Sequence, residues 1–301
     1  MISVQVGGTP DLVRQGRARH KLFVEGGGGD VIDFEFLKIF LPMIDIEVMG
    51  ASFHLKSVAT ALHPYHPDYY FLIDRDHHDD QTVNNSWQKF PDPDTSNLLI
   101  WKKKEIENYF LDIDYLQRSN WIKSTYKGSE GRKKLEAKIQ KIATDRIYME
   151  VANSVILTIR EEQKRTWIEI FSNPSQFTSI ETSINMLLGR NEFQERAEVV
   201  ADSVHGDNIR RMFNKTFDEM SGGSIPLDLN RGTWLARMSG KEILTQIVSN
   251  CFQVRGRDGK PVQGGTQYIE VIKDLARQEL QNQPYDFKEL YGLIDSRTRG
   301  P

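Results

Sequence analysis

A single cysteine, Cys251, stands among 301 residues, so no disulfide can form within the chain and the fold rests on its core alone. Long apolar runs are also missing. The longest apolar neighbourhood, Phe34 to Met49, is interrupted by Lys38, Pro42 and Asp45, and nothing approaches the roughly 20 apolar residues that a membrane-spanning helix needs. The amino terminus, Met1-Ile2-Ser3-Val4, lacks the basic stretch, apolar run and small-residue cleavage site of a secretory signal. These absences predict a cytoplasmic chain that crosses no membrane. An excess of positive charge is lacking too. A formal net charge of -3 excludes binding to nucleic acid through an overall basic surface, because such binding needs Lys and Arg to displace counterions from phosphates. A local groove stays open: Lys102-Lys103-Lys104, Arg132-Lys133-Lys134 and Arg210-Arg211 are basic clusters, although such runs are commonly solvated faces. No Gly-x-x-x-x-Gly-Lys-Ser/Thr occurs, which excludes nucleotide hydrolysis by a P-loop.

Against these absences, 39% hydrophobic, 27% charged and 10% aromatic residues make an ordinary globular composition, with enough chain for two modest cores. Lys21 to Glu25 is a short apolar run stopped by four glycines. Beyond them Ile32, Phe36, Leu37, Phe40 and Leu41 fall at helical spacing, so strand, tight turn and helix follow one another. Pro42 ends the helix, and Ile44 to Val48 alternates as a half-buried strand does. A helix over His54–Leu62 precedes Tyr69 to Ile73, a continuous apolar run that reads as a strand covered on both faces. A polar, proline-bearing loop then leads to a strand over Asn97–Trp101. This alternation predicts an α/β fold, a mainly parallel Rossmann-like sheet flanked by helices, over residues 1–111. Residues 112–222 read as a mostly helical lobe for pairing or recognition, and residues 223–301 as helices packing back on the first domain, with Lys241–Asn250 and Gln267–Gln281 among them.

Chemistry concentrates at two strand ends. Glu25 closes the first strand and Asp74-Arg75-Asp76 follows the third, and open α/β sheets place their sites beyond the carboxyl ends of strands. On an extended segment, side chains two apart point the same way, which would aim Asp74 and Asp76 at one point. Converging carboxylates repel unless a cation lies between them, and Mg²⁺ prefers such oxygen ligands. Alternatives compete. The glycines after Glu25, with Glu47 some way on, imitate a dinucleotide fingerprint, but their spacing is wrong and Glu25 and Asp30 would repel a pyrophosphate. His77-His78-Asp79-Asp80 reads as a solvated loop before a metal site, and Tyr109, Phe110, Tyr115, Trp121, Trp167 and Trp234 as core before stacking platforms.

Val24-Glu25-Gly26, Ile73-Asp74-Arg75-Asp76 and Glu105-Ile106-Glu107-Asn108-Tyr109, each after a strand, together resemble the Toprim domain of the overcoming-lysogenization-defect (OLD-like) nucleases. Among their stand-alone relatives, the resemblance runs to the Toprim effector subunits of PARIS-type anti-phage systems. It covers about the first third of the chain. It implies a Mg²⁺- or Mn²⁺-dependent endonuclease cutting tRNA, other RNA or DNA, the toxic effector of an abortive-infection defence held silent by a separate ABC/SMC-like ATPase. Glu25 would act with the metal and as general base, Asp74 and Asp76 as metal ligands, Glu105 and Glu107 as lining, and Lys241 as a phosphate clamp. Asp30 departs from the pattern, following Glu25 by five positions where the family has four; a metal contact and a helix-dipole role remain equal alternatives for it. Gly240-Lys241-Glu242 also reads as a plain helix start. A homodimer through the helical lobe is expected by analogy. The rival from another class is a catalytically idle Toprim module, sensing nucleic acid or scaffolding an ATPase complex.

Overall fold

The computed structural model describes residues 20–26, 32–76, 78–92, 96–166, 178–189 and 191–299, with the side chains of 52–54, 165, 186–189 and 191–193 left aside. Asp30, His77 and Trp167 lie outside the described residues.

Four strands build a parallel sheet in the order β2-β1-β3-β4. They are β1 (Lys21–Val24), β2 (Asp45–Val48), β3 (Tyr69–Ile73) and β4 (Leu98–Ile100), linked by the helices α1 (Ile32–Phe40), α2 (Ser52–Leu62) and α3 (Asp80–Lys89). Leu22, Phe23 and Val24 are all buried, as are Tyr70 through Ile73, because helices cover both faces of the sheet and leave no side exposed to water. The chain leaves β1 toward β2 on one side and then returns past it to β3 on the other. The gap between β1 and β3 is therefore the topological switch point, where connections diverge and leave a crevice.

Helix α3 occupies part of the stretch expected to be a loop. Only Val83 and Trp87 face its core, too few apolar positions to show a period, and its stability leans on the cap in which Asp79 accepts the Thr82 N–H at 2.7 Å. The Trp87 indole donates to the Ile100 carbonyl at 2.7 Å and so locks α3 on β4.

After a short 3₁₀ turn over Ile106–Tyr109 come α4 (Ile113–Gln117) and the long α5 (Gly128–Thr166), then α6 (Ile180–Gly189), α7 (Asn191–Ser203), α8 (Gly206–Ser221) and α9 (Trp234–Arg237). Helix α10 (Gly240–Cys251), the hairpin β5 (Val254–Arg255) with β6 (Pro261–Val262), α11 (Gly264–Ala276) and α12 (Tyr285–Thr298) follow. Two compact units result: residues up to Ile139 with those from Ser239 onward, and Gln140–Met238. The division falls inside α5 and again before α10, where the sequence pattern had placed it after 111 and after 222. A continuous helical period carries no mark of a unit boundary, which explains the first displacement.

In the first unit, α12 is pinned by Phe287, whose ring lies 4.5 Å from Phe36, 4.9 Å from Tyr109 and 5.8 Å from Phe110. Burial of one such ring contributes about 1.5–3 kcal/mol. Tyr109, Phe110 and Tyr115 are all core, as is Cys251. The second unit is built of helices joined by loops, with no strand among its described residues. Helix α8 ends at Gly222 in the left-handed conformation, φ 62°, with the Gly222 N–H on the Asp218 carbonyl at 2.9 Å. No helix among the described residues is long and apolar enough to cross a membrane.

Candidate acidic site

Strand register brings the first two acids together. Val24 of β1 stands level with Leu72 of β3, so Glu25 and Asp74 leave neighbouring strands within one residue of the same height, at the switch point. Three further carboxylates act on them. The Asp74 carboxyl is pushed up to about 10, first by burial and then by Asp33, Glu107, Glu105 and Glu25. Glu107, buried in the 3₁₀ turn, rises to about 8 through burial and the charges of Glu105 and Asp33, against a lowering pull from Lys241. Asp33 rises to about 7 through burial, with Glu25 and Glu105 adding to it, although its hydrogen bond from the Trp101 indole at 3.0 Å works the other way. Five carboxylates thus act on one another, with Asp33, Asp74 and Glu107 poorly hydrated, and Lys241 acts on Glu107.

Asp33 was not among the expected residues. It lies in the first turn of α1 beside Glu35, and acids there are ordinary dipole complements. What singles it out is the Trp101 contact from the end of β4, and no local spacing announces that.

Glu105 and Glu107 do enter the neighbourhood, from the 3₁₀ turn and the residue before it. Glu105 is the extended residue before the 3₁₀ turn and caps it reciprocally with Asn108. Its Oε1 also accepts the Ser239 hydroxyl at 3.0 Å and the Lys241 backbone N–H at 2.6 Å. One carboxylate therefore closes two helical starts. Gly240 makes the junction feasible: a Cβ there would stand 2.5 Å from the Asn108 nitrogen, so only glycine lets α10 approach so closely. The Gly-Lys-Glu segment is a helix start, as its bland reading had it, and it also delivers Lys241 to the rim of the acids.

Asp76 is placed otherwise than the two-apart argument supposed. The strand ends at Ile73, and Asp76 sits in the left-handed region with φ 43°, in a turn closed by the His78 N–H on the Arg75 carbonyl at 2.8 Å. Alternation holds only for extended backbone, and Asp76 is exposed. The carboxylates named above as acting on Asp74 do not include it. Arg75 fixes this turn. Its buried guanidinium donates to the Lys102 carbonyl at 2.7 Å, to the His78 carbonyl at 3.2 Å and to the Asp80 carboxylate.

The basic cluster after β4 faces inward. Lys102 pairs with Asp286 at 3.1 Å and Glu289 at 2.6 Å, and lies over the Trp87 ring. Lys103 donates to the Asn108 carbonyl at 3.1 Å and lies over Tyr109. These two lysines tie α12 and the 3₁₀ turn to the sheet. Among the described residues no group of three His, Cys, Asp or Glu side chains is set to hold a metal ion as it stands.

A cavity of about 860 Å³ opens beside the acids, between α10, α11 and the β5–β6 hairpin, sharing Ile32, Lys241 and Tyr268 with their surroundings. Tyr268 is raised well above its usual value by burial, with Glu107, Glu105 and Asp33 adding to it. No protein-family model, no curated protein and no solved structure matches this chain.

Proposed function

We propose that this chain is a divalent-cation-dependent phosphodiesterase, an endonuclease on a Toprim-like core that cuts RNA such as tRNA, or DNA. The observation that carries the chemistry is the pairing of Glu25 and Asp74 at the switch point, surrounded by Asp33, Glu105 and Glu107 with Lys241 at the rim. So many carboxylates set close together are a poor arrangement for stability and a good one for a hard metal ion. All the donors are oxygens, which suits Mg²⁺ or Mn²⁺ and disfavours softer metals.

Glu25 and Asp74 would hold the cation, with Glu107 adjoining; Asp76 and Asp30 are the further candidates from the loops. When bound, the cation supplies positive charge for the developing charge on a phosphate. Glu25 is the candidate base for the attacking water, and Lys241 is placed to steady a non-bridging phosphate oxygen. Glu105 has the positioning role, since its carboxylate sets Lys241.

The biological setting rests on the motif resemblance: an effector of anti-phage abortive infection, held by an ABC/SMC-like ATPase and acting as a homodimer. A second reading, the idle Toprim module that senses nucleic acid or scaffolds the ATPase complex, draws support from Asp76, which lies exposed on a left-handed turn.

The test incubates the chain with labelled tRNA and with plasmid in Mg²⁺, Mn²⁺ or EDTA, alone and with the product of the neighbouring gene. Cation-dependent cutting that disappears in Glu25→Ala is expected. Binding without cutting, with and without that product, would favour the idle module.

A further inference from the structure

The cavity beside the acids has a charge character opposite to theirs. Among the described residues its walls include Lys123 and Lys241 and no Asp or Glu, in a chain whose net charge is -3. Its volume, about 860 Å³, falls in the range of small-molecule sites, roughly 300–1,000 Å³. Tyr268, largely buried, lines the cavity, and the exposed Thr245 and Ser249 lie one helical turn apart on α10. Gly264 and Gly265 open α11 there without a side-chain cap, so backbone can approach a ligand closely.

The hairpin at the mouth extends this character. Pro261 and Val262 of β6 line the cavity, and the loop and strand before them carry exposed Arg255, Arg257 and Lys260. Lys260 pairs with Asp258 at 3.6 Å. Arg255 and Arg257 form no salt bridge among the described residues and stand in water. Exposed cations on the hairpin, an aromatic residue and uncharged polar groups in the walls, and Lys241 between this cavity and the carboxylates make surroundings that suit an anion.

We propose that this cavity seats the unpaired nucleotide next to the scissile phosphate, with Arg255 and Arg257 holding the phosphates that follow. The inference rests on the phosphodiesterase reading of the acidic site and adds a substrate class to it: single-stranded or locally unpaired nucleic acid. A duplex cannot place a base in this half-open cavity without unstacking it. Stacking on one aromatic ring tolerates any base, so the subsite selects for an unpaired strand and not for a sequence.

Binding of a labelled, unpaired oligonucleotide is measured by fluorescence anisotropy in EDTA across a salt series, with a hairpin-free duplex of the same sequence beside it. EDTA keeps the result separate from cleavage: a chain that binds this way and never cuts contradicts the enzyme reading and leaves the subsite standing. Ser249→Trp, which fills the cavity from an exposed helix position remote from the acids, is expected to weaken the unpaired strand at least tenfold and leave the duplex unchanged. Arg255→Ala with Arg257→Ala should make the slope of log affinity against log salt shallower by about 1.4, two contacts at about 0.7 each for a single strand. Lys133→Ala with Lys134→Ala, on exposed positions of α5, should leave the slope as it is. Melting curves confirm that each variant is folded. Equal affinity for duplex and unpaired strand, or affinity unmoved by Ser249→Trp, overturns the proposal.

Discussion

The carboxylate of Glu105 accepts the backbone N–H of Lys241 at 2.6 Å, joining residues 136 apart in the chain. The same side chain caps its own 3₁₀ turn and accepts the Ser239 hydroxyl. Glu105→Ala removes three acceptor contacts and should cost about 1–3 kcal/mol in urea unfolding, whereas Glu105→Gln keeps an acceptor and should cost less than half as much. An Ala variant as stable as the parent would show that the carboxylate does not hold this junction.

Gly240→Ala tests the same junction from the other side. Its new methyl would meet the Asn108 nitrogen at 2.5 Å, and backbone cannot yield as a side-chain tip does. A loss of about 1–3 kcal/mol is expected, together with weaker substrate handling because Lys241 shifts. An unchanged unfolding midpoint would contradict the packing described.

The raised carboxyls predict how stability follows pH. Asp33, Glu107 and Asp74 all stand above their unfolded values, at about 7, about 8 and about 10. The folded state therefore favours their protonated forms. That contribution is fully present below the unfolded values and is lost as pH rises through the folded ones. In EDTA, the melting temperature should fall between about pH 6 and about pH 9, the span that brackets the Asp33 and Glu107 values, and Asp74→Asn should flatten the fall. Mg²⁺ competes with protons for these groups, so its stabilisation should be larger at the alkaline end. A melting temperature that rises with pH in EDTA would refute the crowding of these acids.

Much of this arrangement was legible in the sequence, and the limits were physical. The strand Tyr69–Ile73 declared itself because five consecutive apolar residues between Pro67 and an acidic cluster suit a strand covered on both faces, and Pro42 marked the end of α1. Glu25 and Asp74 were recognisable because each stands directly after such a strand. Asp33 was not, since its place depends on Trp101 far along the chain. The β5–β6 hairpin has only two residues in each strand, too few for any period to appear. Asp76 misled because the two-residue alternation was carried past the end of the strand into a turn that Arg75 shapes.

That turn gives a further prediction. Arg75 is buried and holds two backbone carbonyls as well as Asp80. Arg75→Met should cost about 2–4 kcal/mol, because the Lys102 carbonyl loses a charged donor in a buried setting. At the tip, Asp76→Gly should be tolerated without loss while Asp76→Val costs about 1–2 kcal/mol, as expected for a left-handed residue. If Asp76→Val proves as stable as the parent, the turn is not the one described here.

The most direct test of the central claim is calorimetric titration of Mn²⁺ into the metal-free chain at alkaline pH, against Glu25→Gln and Asp74→Asn. Measurable binding by the parent is expected, weakened at least tenfold in each variant, with melting curves showing both variants folded. Binding of equal strength in all three proteins would contradict that claim.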